Sequence, residues 1–97
     1  MLHIVNKSPF SKTSLDSCIR TATKGDPILL IEDGVLGAIT NSSCSDRVMA
    51  AMADHDIYAL SADVKARGVE RLIDGVKVVD YAGFVDLVET HKPMSWL

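Results

Sequence analysis

The sequence lacks the features that would place the protein in a membrane or on a nucleic acid. Its uninterrupted apolar runs are short, as at 28–31, whereas a membrane-spanning helix needs about 20 apolar residues. The first residues have no basic start, long apolar stretch or cleavage site of a secretory signal, so we expect a cytoplasmic protein. Lys and Arg number 10 against 13 Asp and Glu, which gives a net charge of −3. We therefore expect neither a direct nucleic-acid partner nor a membrane partner.

Residues that bind metals or carry covalent chemistry are few and widely spaced. The two cysteines, Cys18 and Cys44, show no CxxC spacing, and in a reducing compartment we expect free thiols. The histidines at 3, 55 and 91 show no metal-ligand spacing. The sequence contains no GxGxxG or GxxxxGK[ST] phosphate loop and no GxSxG hydrolase motif. We therefore expect no metal and no cofactor.

What the sequence does contain is an alternation of strands and helices that fits one domain, residues 1–97. Strands are predicted at 2–5, 28–31, 56–60 and 76–79, and helices at about 14–24, 45–53, 61–67 and 81–91. The run at 28–31 has no polar alternation, which is typical of a strand covered on both faces. The predicted fold is a three-layer α/β/α domain with a mostly parallel sheet of four strands, or five. The apolar tail "MSWL" either folds back on this domain or docks on another subunit.

Ligands of parallel α/β domains bind at the carboxyl ends of the strands, which here are residues 6–8, 32–34, 61–63 and 80–81. Among them, the adjacent carboxylates of Glu32 and Asp33 have two interpretations. Such a pair is able to bind a metal ion or to act in acid–base catalysis. The favoured interpretation is a turn, in which Asp33 and Gly34 supply the backbone angles.

Cys18 is the candidate for chemistry. The apolar residues around it, Leu15, Ile19 and Ala22, follow a helical spacing, so Cys18 lies on the apolar face of a helix. A cysteine there commonly packs as a small hydrophobic residue. A functional thiol needs a lowered pKa, and no cation shares the face of Cys18 within one turn. Cys44 precedes a helix in a polar loop, where we expect an incidental surface cysteine.

Several motifs in register resemble the DsrH/TusB family of sulfur relay proteins. They are "HIVNKSPF" at the start, "EDGV" in the second unit, "DVKARG" in the third and "DYAGFVDL" in the fourth, followed by "SWL" at the end. Together they span nearly the whole chain. The cysteine in "SLDSC" is typical of the DsrH branch of sulfur-oxidising bacteria rather than of the TusB branch, so the sequence predicts a DsrH-type protein.

The resemblance implies the DsrE/DsrF/DsrH-like fold and a set of partners. Such chains assemble with DsrE-like and DsrF-like chains into a heterohexamer with two copies of each. The complex carries sulfur as a cysteine persulfide and passes it to a DsrC/TusE-type acceptor. The main sulfur-carrying cysteine, and hence catalysis, is attributed to the DsrE-type subunit. In the DsrH branch the relay serves dissimilatory sulfur oxidation, and in the TusB branch it serves 2-thiolation of the wobble uridine of tRNA.

The sequence thus leaves three hypotheses. In the first, the chain is a relay subunit and Cys18 is an accessory persulfide-carrying thiol. In the second, the chain is a purely structural subunit that carries no sulfur, and Cys18 only packs. In the third, the chain is an independent domain that binds a small molecule through the loops after its first two strands.

Overall fold

The computed structural model describes residues 1–96, which form a five-stranded sheet with every pairing parallel. The strands are β1 (Leu2–Val5), β2 (Ile28–Leu30), β3 (Ile57–Leu60), β4 (Lys77–Val79) and β5 (Pro93–Trp96). Their spatial order is β4-β3-β2-β1-β5. The predicted α/β fold with a parallel sheet is therefore confirmed.

Four α-helices and one 3-10 segment connect the strands. They are α1 (Ser14–Thr21), the 3-10 segment (Glu32–Ala38), α2 (Ser45–Ala51), α3 (Ser61–Ala66) and α4 (Tyr81–Thr90). Helix α1 ends three residues before the predicted end at Lys24, because the chain turns sharply at 23–26. There the Thr23 amide donates to the Asp26 side chain, and Gly25 adopts a φ of 95°. Within residues 1–96, no helix has both the length and the apolar character needed to span a membrane.

The C-terminal segment, predicted as an apolar tail, forms the fifth strand as far as Trp96. It pairs with β1 over its whole length, from Leu2 opposite Pro93 to Val5 opposite Trp96. A proline is compatible with this position because it is the first residue of an edge strand. Leu97, the last residue of the predicted tail, lies outside the described residues. The first of the two expected arrangements, folding back on the domain, is the one observed through Trp96.

The order of the strands divides the helices between the two faces of the sheet. From β1 to β4 the chain moves in one direction, and α1, α2 and α3 pack on one face against Val5, Leu30 and Ile57. The chain then returns across the sheet to β5. Since parallel crossovers are right-handed, this return places α4 on the opposite face, over Leu2 and Leu29.

The predicted turn at Glu32-Asp33-Gly34 is the start of the 3-10 segment, which continues through the stretch whose type the sequence left open. Gly34 is required where this segment passes over the end of β1. A Cβ atom at position 34 would lie 2.1 Å from the Val5 carbonyl oxygen, which is far inside van der Waals contact. The segment therefore lies tightly against the carboxyl end of β1, next to the predicted ligand-binding edge.

Candidate functional site

Cys18 projects from α1 into the larger core cluster and has no exposed surface. Burial raises the pKa of its thiol from 9.0 to about 12, and the nearby Asp26 carboxylate adds to the rise. Both effects act in the same direction, because a thiolate is disfavoured by an apolar environment and by a neighbouring negative charge. In this arrangement Cys18 is a neutral thiol at physiological pH and is closed to solvent.

Cys44 is also buried, with 1% of its surface exposed, so the expectation of a surface cysteine is wrong. The residue lies immediately before α2, and its sulfur is 3.3 Å from the hydroxyl oxygen of Ser42. The same hydroxyl accepts a hydrogen bond from the Cys44 amide. The polar loop folds inward around this bond, which the local sequence composition did not reveal. Neither cysteine therefore offers a reactive surface in the single chain.

A hydrogen-bonded chain of side chains links β5 to β1 and to the loop before β2. The Trp96 indole N–H donates to Nδ1 of His3 over 3.0 Å, and Nε2 of His3 lies 2.9 Å from the Asp26 carboxylate. Because Nδ1 accepts this hydrogen bond, the ring hydrogen is on Nε2, which donates a hydrogen bond to Asp26. His3 is only 3% exposed, so these bonds satisfy both nitrogens of a buried polar ring. We call His3, Asp26 and Trp96 the terminal clasp.

Asp26 is the centre of this network. Its carboxylate also accepts hydrogen bonds from the Met1 amino group and the Thr23 amide, each over 3.1 Å. The bond from His3, more than any other contact, holds the pKa of Asp26 at about 2, below its ordinary 3.8. The backbone carbonyl of Asp26 accepts a further bond from Nδ1 of His55 over 2.7 Å. The clasp thus fixes the His3 ring between the indole of Trp96 and the carboxylate of Asp26, and both ring nitrogens are engaged, which supports a structural role.

At the carboxyl edge of the sheet, where we expected ligand binding, Arg67 forms ion pairs with two aspartates. Arg67 donates from Nε to Asp33 over 2.8 Å and from Nη1 to Asp63 over 3.4 Å. The second oxygen of Asp63 accepts from the Glu32 amide over 2.8 Å, which holds Glu32 at a φ of +50°. The Asp80 side chain instead caps α4 by accepting from the Gly83 amide. These contacts engage the carboxylates of Asp33 and Asp63, which supports the structural interpretation of the acidic turn.

Along residues 1–96, no group of three or more His, Cys, Asp or Glu side chains is arranged to hold a metal ion. A shallow groove of about 410 Å³ lies between α1 and α2. Its apolar floor is formed by Ile19 and Ala50, and its rim by Arg20 and by the ion pair of Arg47 with Asp16, 2.9 Å long. Ile19 is the neighbour of Cys18 in sequence, but the groove does not include Cys18. The carboxyl edge and this groove are therefore surface features that are separate from the buried thiol.

With the geometry established, comparison with known proteins identifies the family. A sequence profile described as "DsrH like protein" matches residues 7–94. The chain belongs to the DsrH-like family. Proteins named TusB from Pectobacterium parmentieri and Photorhabdus laumondii are 33% and 35% identical to it over 98 residues, covering 99% of this chain and all of each relative. The resemblance recognised from the motifs is thus confirmed over almost the whole chain.

Solved structures extend the likeness to the fold. The crystal structure of the ychN protein from E. coli matches with a TM-score of 0.80 at 15% identity, and 97% of each chain is covered. At this identity the match shows a shared fold and nothing more. The relatives cited by name are TusB proteins, so the comparisons favour the TusB alternative over the DsrH branch that the sequence motifs predicted.

The terminal clasp was not predicted from the sequence. His3 lacks metal-ligand spacing to the other histidines, and it lies in a strand whose other residues are all apolar. A histidine in such a strand must find hydrogen-bond partners inside the protein. The sequence therefore indicates that His3 has buried hydrogen-bond partners. It does not indicate which residues these are, because Asp26 and Trp96 are 23 and 93 residues away in the chain.

Proposed function

We propose that this chain is a TusB-type subunit of a cytoplasmic sulfur relay complex that serves 2-thiolation of the wobble uridine of tRNA. The observation that carries the proposal is the similarity to proteins named TusB. It extends over 99% of this chain and all of each relative, at 33% and 35% identity. The partners are DsrE-like and DsrF-like chains in a heterohexamer with two copies of each. The sulfur acceptor is a DsrC/TusE-type protein.

Within this complex we assign a structural role to the chain. A persulfide relay requires a thiolate that reaches the outer sulfur of a partner's persulfide. Cys18 is buried with a pKa of about 12, and Cys44 is buried beside Ser42. These properties support a subunit that positions its partners while a partner's cysteine carries the sulfur. The accessory-thiol role of Cys18 remains a prediction that a direct experiment decides.

That experiment measures the mass of the chain within the assembled complex after exposure to a persulfidated partner. Transfer to Cys18 would form a new S–S bond to its sulfur, break the bond to the partner's cysteine and leave that cysteine as a thiolate. The chain would gain one sulfur atom, about 32 Da. We expect no gain. A gain that Cys18→Ser abolishes and the matched Cys44→Ser variant retains would establish the accessory thiol instead.

The downstream process is tested in a bacterium from which the resident tusB gene has been deleted. We expect this chain, expressed with its own DsrE-like and DsrF-like partners, to restore 2-thiouridine in tRNA, measured by retardation in mercury-containing gels. Partners expressed without this chain are the control. Failure to restore 2-thiouridine, although the complex forms, would contradict the tRNA assignment.

A second candidate is the DsrH-type role in dissimilatory sulfur oxidation, which Cys18 in the "SLDSC" motif favours. It predicts that deleting the gene in its own host abolishes growth on reduced sulfur compounds and leaves tRNA thiolation intact. The two roles therefore differ in which measurement responds, tRNA modification or sulfur oxidation. Since the chain has the same partners in both, the next inference holds for either.

A further inference from the structure

The two faces of the sheet are covered very unequally. Parallel sheets are normally covered by helices on both faces. Here α1, α2, α3 and the 3-10 segment cover one face, and α4 alone covers the other. Neighbouring strands are about 4.8 Å apart and a helix is about 10 Å wide, so one helix covers about half of five strands. Ile31, Tyr58 and Val79, which lie under or beside α4, remain only half-buried.

Helix α4 is itself apolar on more than one side. Phe84, Leu87 and Val88 pack towards the sheet, yet no residue of the helix is fully buried. On another side, Tyr81 and Val85 are 66% and 51% exposed. These two residues are one helical turn apart, so they form a continuous apolar stripe on the surface. We call the stripe and its flanking acidic residues, Asp86 and Glu89, the α4 surface.

The charges on the α4 surface are uniformly negative. Asp86 and Glu89 are exposed and make no ion pair with any described residue. No Lys or Arg occurs between Lys77 and Lys92, so the helix carries no compensating cation. Lys77, at one flank, is already engaged, since its ammonium lies 3.4 Å from Asp56 and 5.6 Å from the centre of the Tyr58 ring. The surface therefore combines an apolar centre with an unpaired acidic rim.

This combination identifies the kind of partner. A second copy of the chain, related by a two-fold axis, would bring the same acidic residues of both copies to one interface. Like charges at an interface oppose association, so self-association on this surface is disfavoured. A different chain with an apolar patch rimmed by Lys or Arg has the complementary charge. Exposed aromatic residues such as Tyr81 are also the side chains that most often anchor interfaces.

We infer that the α4 surface is where a relay partner chain docks, through an apolar patch rimmed by basic residues that completes the uncovered face of the sheet. The inference rests on the proposed function for the identity of the partners, which are the DsrE-like and DsrF-like chains. It specifies the surface and the chemistry of the contact. The groove between α1 and α2, on the opposite face, is not part of this interface.

The test measures the dissociation constant of the purified chain for its DsrE-like and DsrF-like partners. Val85→Asp places a charge in the apolar centre, and we expect at least a tenfold loss of affinity. Met49→Asp is the matched control, because Met49 is 55% exposed on α2, on the other face. We expect its affinity to stay within about twofold of the unmodified chain. Circular dichroism and urea unfolding establish that both variants are folded.

A second variant tests the acidic rim without touching the apolar stripe. Asp86→Lys/Glu89→Lys should weaken association about three- to tenfold at low salt and much less at 1 M salt, where surface charges are screened. Retained affinity in Val85→Asp, or a loss in Met49→Asp alone, would overturn the assigned surface while the partnership stands. If the unmodified chain does not bind these partners, the proposed function itself fails. Dimerisation of the isolated chain that Val85→Asp abolishes would show that a second copy occupies the surface, against the inference.

Discussion

The two faces of the sheet show how one chain can be self-sufficient on one side and incomplete on the other. Beneath α1, α2 and α3, the core residues Val5, Leu30 and Val35 have no exposed surface. Beneath α4, Leu2 and Leu29 are equally buried, but they are surrounded by half-buried residues. The difference follows from strand order, since three crossovers pack on one face and a single crossover on the other. Stability is therefore expected to depend on the first face and association on the second.

The largest expected difference compares truncations on the two faces. Leu30→Ala should destabilise the protein by about 2–5 kcal/mol, because it leaves a cavity in a fully buried core. Phe84→Ala on α4 removes a larger side chain but should cost only about 1–2 kcal/mol, because that side chain is half-buried and water can fill the space. Urea unfolding followed by circular dichroism measures both values. Equal losses would mean that the α4 face is as closed as the other.

The next prediction concerns the terminal clasp, which holds β5 at the edge of the sheet. Trp96→Phe keeps an aromatic ring but removes the N–H that donates to His3, leaving a buried ring nitrogen without a partner. We expect a loss of about 1–3 kcal/mol in the free energy of unfolding. Tyr81→Phe is the control, since it removes a polar group from an exposed aromatic residue of α4, and it should change stability by less than about 0.5 kcal/mol. If Trp96→Phe leaves the free energy of unfolding unchanged, the bond between Trp96 and His3 makes no net contribution to stability.

The clasp also predicts a dependence of stability on acid pH. The pKa of Asp26 is about 2 in the folded protein and has an ordinary value of 3.8, so the folded state favours the ionised carboxylate. The resulting stabilisation is fully present above about pH 4 and is lost as the pH falls towards 2. We expect the urea midpoint of the unmodified protein to fall across this window more steeply than that of Asp26→Asn. Asp74→Asn, at an exposed carboxylate, should leave the slope unchanged.

Features of the fold that depend on neighbouring residues in the chain were predictable from the sequence, and features that depend on contacts between distant residues were not. The first four strands, the parallel sheet and the helical face of Cys18 follow from local apolar patterns, and the structure confirms them. The predicted sheet allowed a fifth strand, but the sequence did not assign it to residues 93–96, because "PMSW" has no strand pattern of its own. It is held by pairing with Leu2–Val5 at the other end of the chain and by the indole bond to His3.

The candidate site divides in the same way. The clustering of 32–34 with 61–63 was predictable, because parallel strands end at one edge of a sheet, and Asp33, Asp63 and Glu32 do meet there. Arg67, which pairs with Asp33 and Asp63, directly follows α3 and belongs to the "DVKARG" motif, four residues after Asp63. The motif did not indicate the pairing with Asp33, which is 34 residues away in the chain. The burial of Cys44 was also not predictable, since it depends on the inward fold of a loop whose composition is polar.

The smallest expected effect provides the sharpest contrast between the faces. Val85→Ser on the α4 surface should change the stability of the isolated chain by less than about 0.5 kcal/mol, because the residue is 51% exposed and packs little within the chain. Val64→Ser on α3, where Val64 is 8% exposed, should cost several times more, since it removes buried apolar surface and introduces a buried hydroxyl. Thermal unfolding of the two variants and of the unmodified chain, each in isolation, measures both changes in stability. If Val85→Ser destabilises the isolated chain as much as Val64→Ser does, α4 is packed within the single chain and no partner is needed to complete that face.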